Sequence, residues 1–173
     1  IEQFILTIAT VRLSACHSMQ VLLDTNVLLL YLCGAVAPEM LGRVKRLDGF
    51  DKEDFGLLSA SIARCSGQLT TPNLLTEASN LLNVGGRKTE VFAGASVALA
   101  RYIEEIDEVF SPSEELLRAN PKAYLELGLA DCSVLAAAKA KEARLITVDA
   151  MLFGFAKGMS VEAVNLRHFR TPP

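Results

Sequence analysis

"VLLDTNVLLLYL", residues Val21 to Leu32, sets a single carboxylate, Asp24, inside an otherwise oily run. A charge in apolar surroundings costs several kcal/mol unless it is paired, protonated or bound to a metal. Asp24 therefore has two readings. It ends a strand and caps the helix that follows, or its place at the strand's carboxyl end makes it a site for chemistry. Gln20 to Leu23 reads as a short buried strand, Asp24-Thr25-Asn26 supplies the turn and cap, and a helix runs to about Leu32, stopped by Gly34.

The same alternation continues along the chain. Pro38 to Leu47 and Asp51 to Cys65 read as helices joined at Asp48-Gly49, and Gln68 to Thr71 as a strand. Pro72 to Asn83 is a helix with Leu74, Leu75, Ala78, Leu81 and Leu82 as its apolar positions, closed by Gly85-Gly86. Thr89 to Glu105 is a long helix and Ile106 to Phe110 a third strand. Ser111 caps a further helix with Pro112 at its first position. Pro121 to Leu127 is a helix or turn, Asp131 to Ala143 an Ala-rich helix and Arg144 to Val148 a strand. Ala150 to Ala156 is a short helix and Val161 to Leu166 the last strand. Strands alternating with helices predict an α/β fold, a three-layer α/β/α sandwich around a mainly parallel sheet.

The 173 residues suit one domain, assigned to 19–173. Residues 1–18 read as an N-terminal extension of upstream or non-native origin, because "MQVLLDTN" from Met19 is a natural start. "LSAC" at Leu13 to Cys16 resembles a lipoprotein cleavage site, but no basic segment precedes it and Arg12 interrupts the apolar stretch. No uncharged apolar run reaches 18 residues, so no membrane span is expected. A mean hydropathy of +0.32 favours self-association or a partner protein.

A net charge of −3 argues against bulk electrostatic binding of nucleic acid. It leaves room for local basic groups: Arg43, Lys45 and Arg46; Arg87 and Lys88; Lys139, Lys141 and Arg144; Arg167 and Arg170. The four cysteines (Cys16, Cys33, Cys65, Cys132) are far apart and form no C-x-x-C pair. With two histidines in the chain, that argues against a zinc or disulfide framework and suits a reducing cytoplasm.

In parallel sheets, ligands collect beyond the carboxyl ends of the strands. Asp24 follows the first strand and Asp149 follows "RLITV", while Asp131 opens the helix leading into that strand. Glu77 in "LLTEASNLL" is again a lone acid among oily neighbours. Two carboxylates about 4 Å apart at an effective dielectric near 20 repel by roughly 4 kcal/mol. A cluster of them persists by sharing protons or binding a divalent cation, and all-oxygen ligands favour Mg²⁺ or Mn²⁺. Taken singly, each acid has a plainer reading: Asp24 and Asp131 as caps, Asp149 as a turn residue, Glu77 as a partner for Arg or Lys.

"VLLDTNVLL", "LLTEASNLL", "GLADCSVLAAAKAKEARLITVD" and the following "AML" together resemble, in order and spacing, the PIN-domain nucleases. The likeness runs from about Met19 to Leu166 and is nearest to the VapC-like toxin ribonucleases of type II toxin–antitoxin pairs. It implies a metal-dependent endoribonuclease acting on RNA phosphodiesters, a homodimer and an antitoxin protein as partner. The family's acids fall on Asp24, Glu77, Asp131 and, for its more variable fourth, Asp149. By the resemblance, Asp24, Asp131 and Asp149 hold Mg²⁺ or Mn²⁺, and Glu77 ligates through water or accepts the proton of the attacking water. Thr147 and Asn26 orient these groups by hydrogen bonds. Two features depart from the family: Met151 stands where many relatives carry a further acid or amide, and the Val36 to Ser66 region is longer than in compact toxins.

Other readings compete. A haloacid-dehalogenase-like phosphatase also places an Asp after its first strand, but needs a second Asp two residues on, where this chain has Asn26. A PIN-fold module that binds RNA or protein without cutting is the non-enzymatic alternative. Cys132 reads as a buried helix-face residue and His168 as a surface or interface one. Under the nuclease reading Lys139 or Arg43 contacts RNA phosphate.

Overall fold

Short strands feed helices throughout the computed structural model, which describes residues 19–43, 47–83 and 90–169. The strands are β1 (Val21–Leu23), β2 (Gln68–Thr70), β3 (Asp107–Glu108), β4 (Arg144–Thr147) and β5 (Ala163–Asn165). They form one sheet in the order β3-β2-β1-β4-β5, with every pairing parallel. Between them run α1 (Thr25–Val36), α2 (Lys52–Ile62), α3 (Pro72–Asn83) and α4 (Glu90–Glu105). These are followed by α5 (Ser113–Ala119), α6 (Pro121–Leu127), α7 (Leu129–Ala140) and α8 (Ala150–Gly158). The connections β1→β2→β3 step one way across the sheet, and β3→β4→β5 step the other. Right-handed crossovers then cover both faces, giving the expected α/β/α sandwich. The direction reverses between β1 and β4, the position where open parallel sheets form their ligand crevice.

β1 is the centre of the core. Its three residues are almost wholly inaccessible, with Leu22 beside Leu69 on one side and Leu145 on the other. α1 is apolar nearly all round because it is buried nearly all round, from Val27 through Gly34. No helix among the described residues is long and apolar enough to cross a membrane.

Several local expectations change. Gly34 does not stop α1, which continues to Val36. Its missing side chain admits the ring of Phe55 from α2: a Cβ at position 34 would lie 2.4 Å from Phe55 Cδ2 and 3.1 Å from Phe55 Cβ. Gly94 of α4 admits Val36 in the same way, with Val36 Cγ1 2.6 Å from a would-be Cβ. Gly34→Ala is accordingly expected to lower thermal stability by about 1–2 kcal/mol. The clash with the base of an aromatic side chain outweighs the gain in helix propensity, which a thermal melt checks directly.

Pro38 to Leu47 is not a full helix; a 3₁₀ segment spans Pro38–Arg43. Ser111 does not cap α5, whose N-cap is Pro112 with no side-chain cap bond; Glu114 and Glu115 complement the helix dipole instead. The Ala-rich helix begins at Leu129, so Asp131 lies in its first turn rather than at its cap. The N-cap is Gly128, at a φ of +88° that favours glycine. Residues 1–18, Gly85-Gly86, Arg87, Lys88, Lys45, Arg46 and Arg170, as well as the Arg43 side chain, lie outside the described residues.

Candidate active site

Each strand at the centre of the sheet ends in a polar residue. Extending the strand register one residue past β1 and β2 sets Thr71, Asp24, Thr147 and Asn165 in one row across β2, β1, β4 and β5. All four are buried, although each is polar or charged. Buried polar groups require partners, and this row supplies them.

Asp24 caps α1: its Oδ1 accepts the Val27 N–H at 2.7 Å. Its Oδ2 accepts the Thr147 hydroxyl and, at 3.1 Å, the Val148 N–H. Burial pushes the carboxyl above its ordinary range. Those three hydrogen bonds oppose the rise, and the charge of Asp149 adds to it. The cap reading is thus real, and the same carboxylate stands at the crevice.

Thr147 joins two of the acids. It donates to Asp24 and accepts the Asp149 N–H at 2.9 Å. Asp149 is exposed and caps α8, its Oδ1 accepting the Met151 and Leu152 N–H groups at 2.6 and 2.9 Å. Glu77, exposed on α3, accepts the Thr25 hydroxyl at 2.8 Å, a contact between residues 52 positions apart. Thr25 is a residue that sequence reading passed over. The supporting amide expected there, Asn26, is half-buried and bonds none of the four acids among the described residues.

Asp131 is half-buried in the first turn of α7. That turn is pinned to β2's end, where Ser133 Oγ lies 2.7 Å from Thr71 Oγ1. Since Ser133 donates to the Ala130 carbonyl at 2.6 Å, Thr71 is the donor to Ser133. Burial, and then the negative charges of Asp24, Glu77 and Asp149, push the Asp131 carboxyl up to about 7. Asp24, Glu77 and Asp149, from three other places in the chain, are therefore near enough to disfavour the ionisation of Asp131. Among the described residues no cation pairs with any of them; the four ion pairs, such as Lys52–Glu39 and Arg144–Glu162, lie elsewhere.

Beside the acids, α3 and the start of α7 line a cleft of about 420 Å³, with Asn73, Thr76, Glu77 and Asn80 on one side and Leu129 and Ala130 on the other. Lys139 is in the last turn of α7, about 12 Å along the helix axis from Asp131, and so does not flank the acids. Cys33, Cys65 and Cys132 are free and buried, and His168 stands edge-on to Phe153 at 5.4 Å.

The donor set is all hard oxygen with an uncompensated negative charge, which suits Mg²⁺ or Mn²⁺ in kind. Among the described residues no three His, Cys, Asp or Glu side chains stand close enough to make a ready coordination shell. A set spaced more widely than a direct shell would suit an ion that keeps several of its waters, as Mg²⁺ commonly does. Compared with known families and with curated proteins, the chain matches no family model and no curated sequence.

Proposed function

We propose that this chain is a divalent-cation-dependent endoribonuclease of the PIN type, hydrolysing RNA phosphodiester bonds at the crevice between β1 and β4. The observation that carries the reading is the Asp131 carboxyl, lifted to about 7 by burial and then by the charges of Asp24, Glu77 and Asp149, with no cation side chain among the described residues to relieve it. Such an arrangement is destabilising on its own account, and a bound dication removes the penalty. In this reading Asp24, Asp131 and Asp149 hold Mg²⁺ or Mn²⁺. The ion, when bound, polarises water and offsets charge on the phosphate.

The chain's own groups do the rest. Thr147 fixes Asp24 and Asp149 relative to each other, and Thr25 fixes Glu77 at the edge of the cleft. Glu77, exposed and facing that cleft, accepts the proton of the attacking water or holds a water ligand. Asp131 gives up its proton as the site loads. In its finer form the proposal makes the chain the toxin of a toxin–antitoxin pair, homodimeric and cytoplasmic, with an antitoxin Arg set among the carboxylates to block them.

A second reading has one observation in its favour. With Asp24 engaged by three hydrogen bonds and no close-set trio of ligands among the described residues, a PIN-fold module that binds RNA or protein without cutting also accounts for the pocket. RNA cleavage with added Mn²⁺, run beside isothermal titration of the ion, separates the two. The nuclease cuts RNA in Mn²⁺ and slows by about a hundredfold or more in excess EDTA. Undiminished cutting in EDTA rejects the metal site, and absence of both cutting and Mn²⁺ binding leaves the non-cleaving module.

A further inference from the structure

The cleft beside the acids has a feature that the proposed reaction does not use. Asn73, Thr76, Glu77 and Asn80 recur at i, i+3, i+4 and i+7, so they form one face of α3, and all four line the cleft. Glu77 carries the only charge on that face. Among the described residues no Lys or Arg lines the cleft. The Asn73 and Asn80 amides make no hydrogen bond among the described residues. The Thr76 hydroxyl donates to its own helix, at the Pro72 carbonyl 2.8 Å away, which leaves its oxygen as an acceptor.

An amide offers two donors and an acceptor in a plane, the pattern that pairs with the edge of a nucleobase or with a ribose hydroxyl. Seven residues of helix place Asn73 and Asn80 about 10 Å apart along the axis, one on each side of Glu77. Across from them, Leu129 and Ala130 give the cleft an apolar wall. The cleft is open to solvent and, at about 420 Å³, has room for a small organic group.

We infer that Asn73 and Asn80 are specificity-determining residues: they hydrogen-bond the base or ribose edge of an unpaired nucleotide flanking the cut, and so set the sequence preference of cleavage. The inference rests on the ribonuclease reading. Paired bases keep their Watson–Crick edges occupied, so this face favours a single-stranded substrate at that position.

The test is a cleavage-site profile on a randomised single-stranded RNA pool in Mn²⁺, for the wild type and for Asn73→Ala, Asn80→Ala and the double substitution. Both positions are at least partly exposed, and thermal melts verify that the variants fold. The double variant is expected to flatten the base preference beside the cut and to raise KM by about tenfold, with kcat and Mn²⁺ affinity unchanged. A wild type that cuts while the variants keep its profile and KM within a factor of about two overturns this assignment alone. Equal cutting of duplex and single strand also overturns it. A wild type that cuts no RNA removes the ribonuclease reading and this assignment together.

Discussion

RNA incubated with Mn²⁺ and Asp24→Asn protein is expected to stay intact, with cleavage reduced by about a hundredfold or more, equivalent to about 3 kcal/mol of transition-state stabilisation. The substitution keeps the shape of the side chain and removes its charge. An Asn oxygen can still accept the Val27 N–H and cap α1. The other carboxylate oxygen becomes an amino group facing two donors, the Thr147 hydroxyl and the Val148 N–H. The hydroxyl can rotate to accept, but the backbone N–H cannot, and one unpaired buried donor costs about 1–3 kcal/mol. Against that stands the relief of a carboxylate whose burial already disfavours its ionised form. The two effects oppose each other, so the melting temperature changes little while activity disappears. Asp24→Ala lacks the compensation. It strips the cap and leaves three donors unpaired, and is expected to cost about 3 kcal/mol or more. A folded Asp24→Asn protein that still cuts RNA at the wild-type rate would remove Asp24 from the site.

Much of the fold is legible in the sequence because its central strands, β1 and β4, are mainly apolar runs with polar ends, the mark of parallel strands covered on both faces. α3 is found at its true bounds, Pro72–Asn83, because Pro sets the first turn and Leu74, Leu75, Ala78 and Leu82 keep the helical period. Gly34 misleads for a physical reason. A glycine after a long apolar helix looks like a terminator, and only the ring of Phe55, brought in by a separate helix, shows that it is there for close approach. Asp131 misleads in a smaller way, since an Asp before an Ala-rich run looks like a cap until the positive φ of Gly128 sets the helix start two residues earlier.

At the site, strand ends alone place Asp24 and Asp149 at one edge. The nearness of Glu77 and Asp131 to them depends on contacts across the fold: the Thr25–Glu77 bond and the Thr71–Ser133 pair. Neither contact has a sequence signature. Thr25 is hidden because a Thr after Asp24 is already explained as part of a cap, and helix geometry turns it, rather than Asn26, towards α3.

Asp131→Asn is expected to make the protein more stable at pH 8 while abolishing cleavage. The Asp131 carboxyl sits at about 7 in the folded protein against an ordinary value of 3.8. In the unfolded chain it releases its proton near the lower value, and in the fold it keeps it to the higher one. Between the two, the folded state binds more protons, so the free energy of unfolding falls as pH rises. Below about pH 4 the group contributes nothing, and above about pH 7 the whole penalty is present. A shift of this size corresponds to about 4 kcal/mol unscreened, and to about 2 kcal/mol once the partial exposure of Asp131 is allowed for. The Asn side chain has the same shape and does not titrate. The stability difference between variant and wild type is therefore expected to be small at pH 4, to grow through pH 5 to 7, and to level off near 2 kcal/mol at pH 8. For a chain of this length that is roughly 4–8 °C in melting temperature. Asp24 is also raised by burial, but it is present in both proteins and does not affect the comparison in direction. Millimolar Mn²⁺ is expected to raise the wild-type melting temperature at pH 8 more than the variant's, because binding to the folded state alone stabilises it. A variant less stable than the wild type at pH 8, with the same slope against pH, means that Asp131 ionises at ease in the fold. The carboxylates would then not press on one another, and the physical case for a cation among them would be gone.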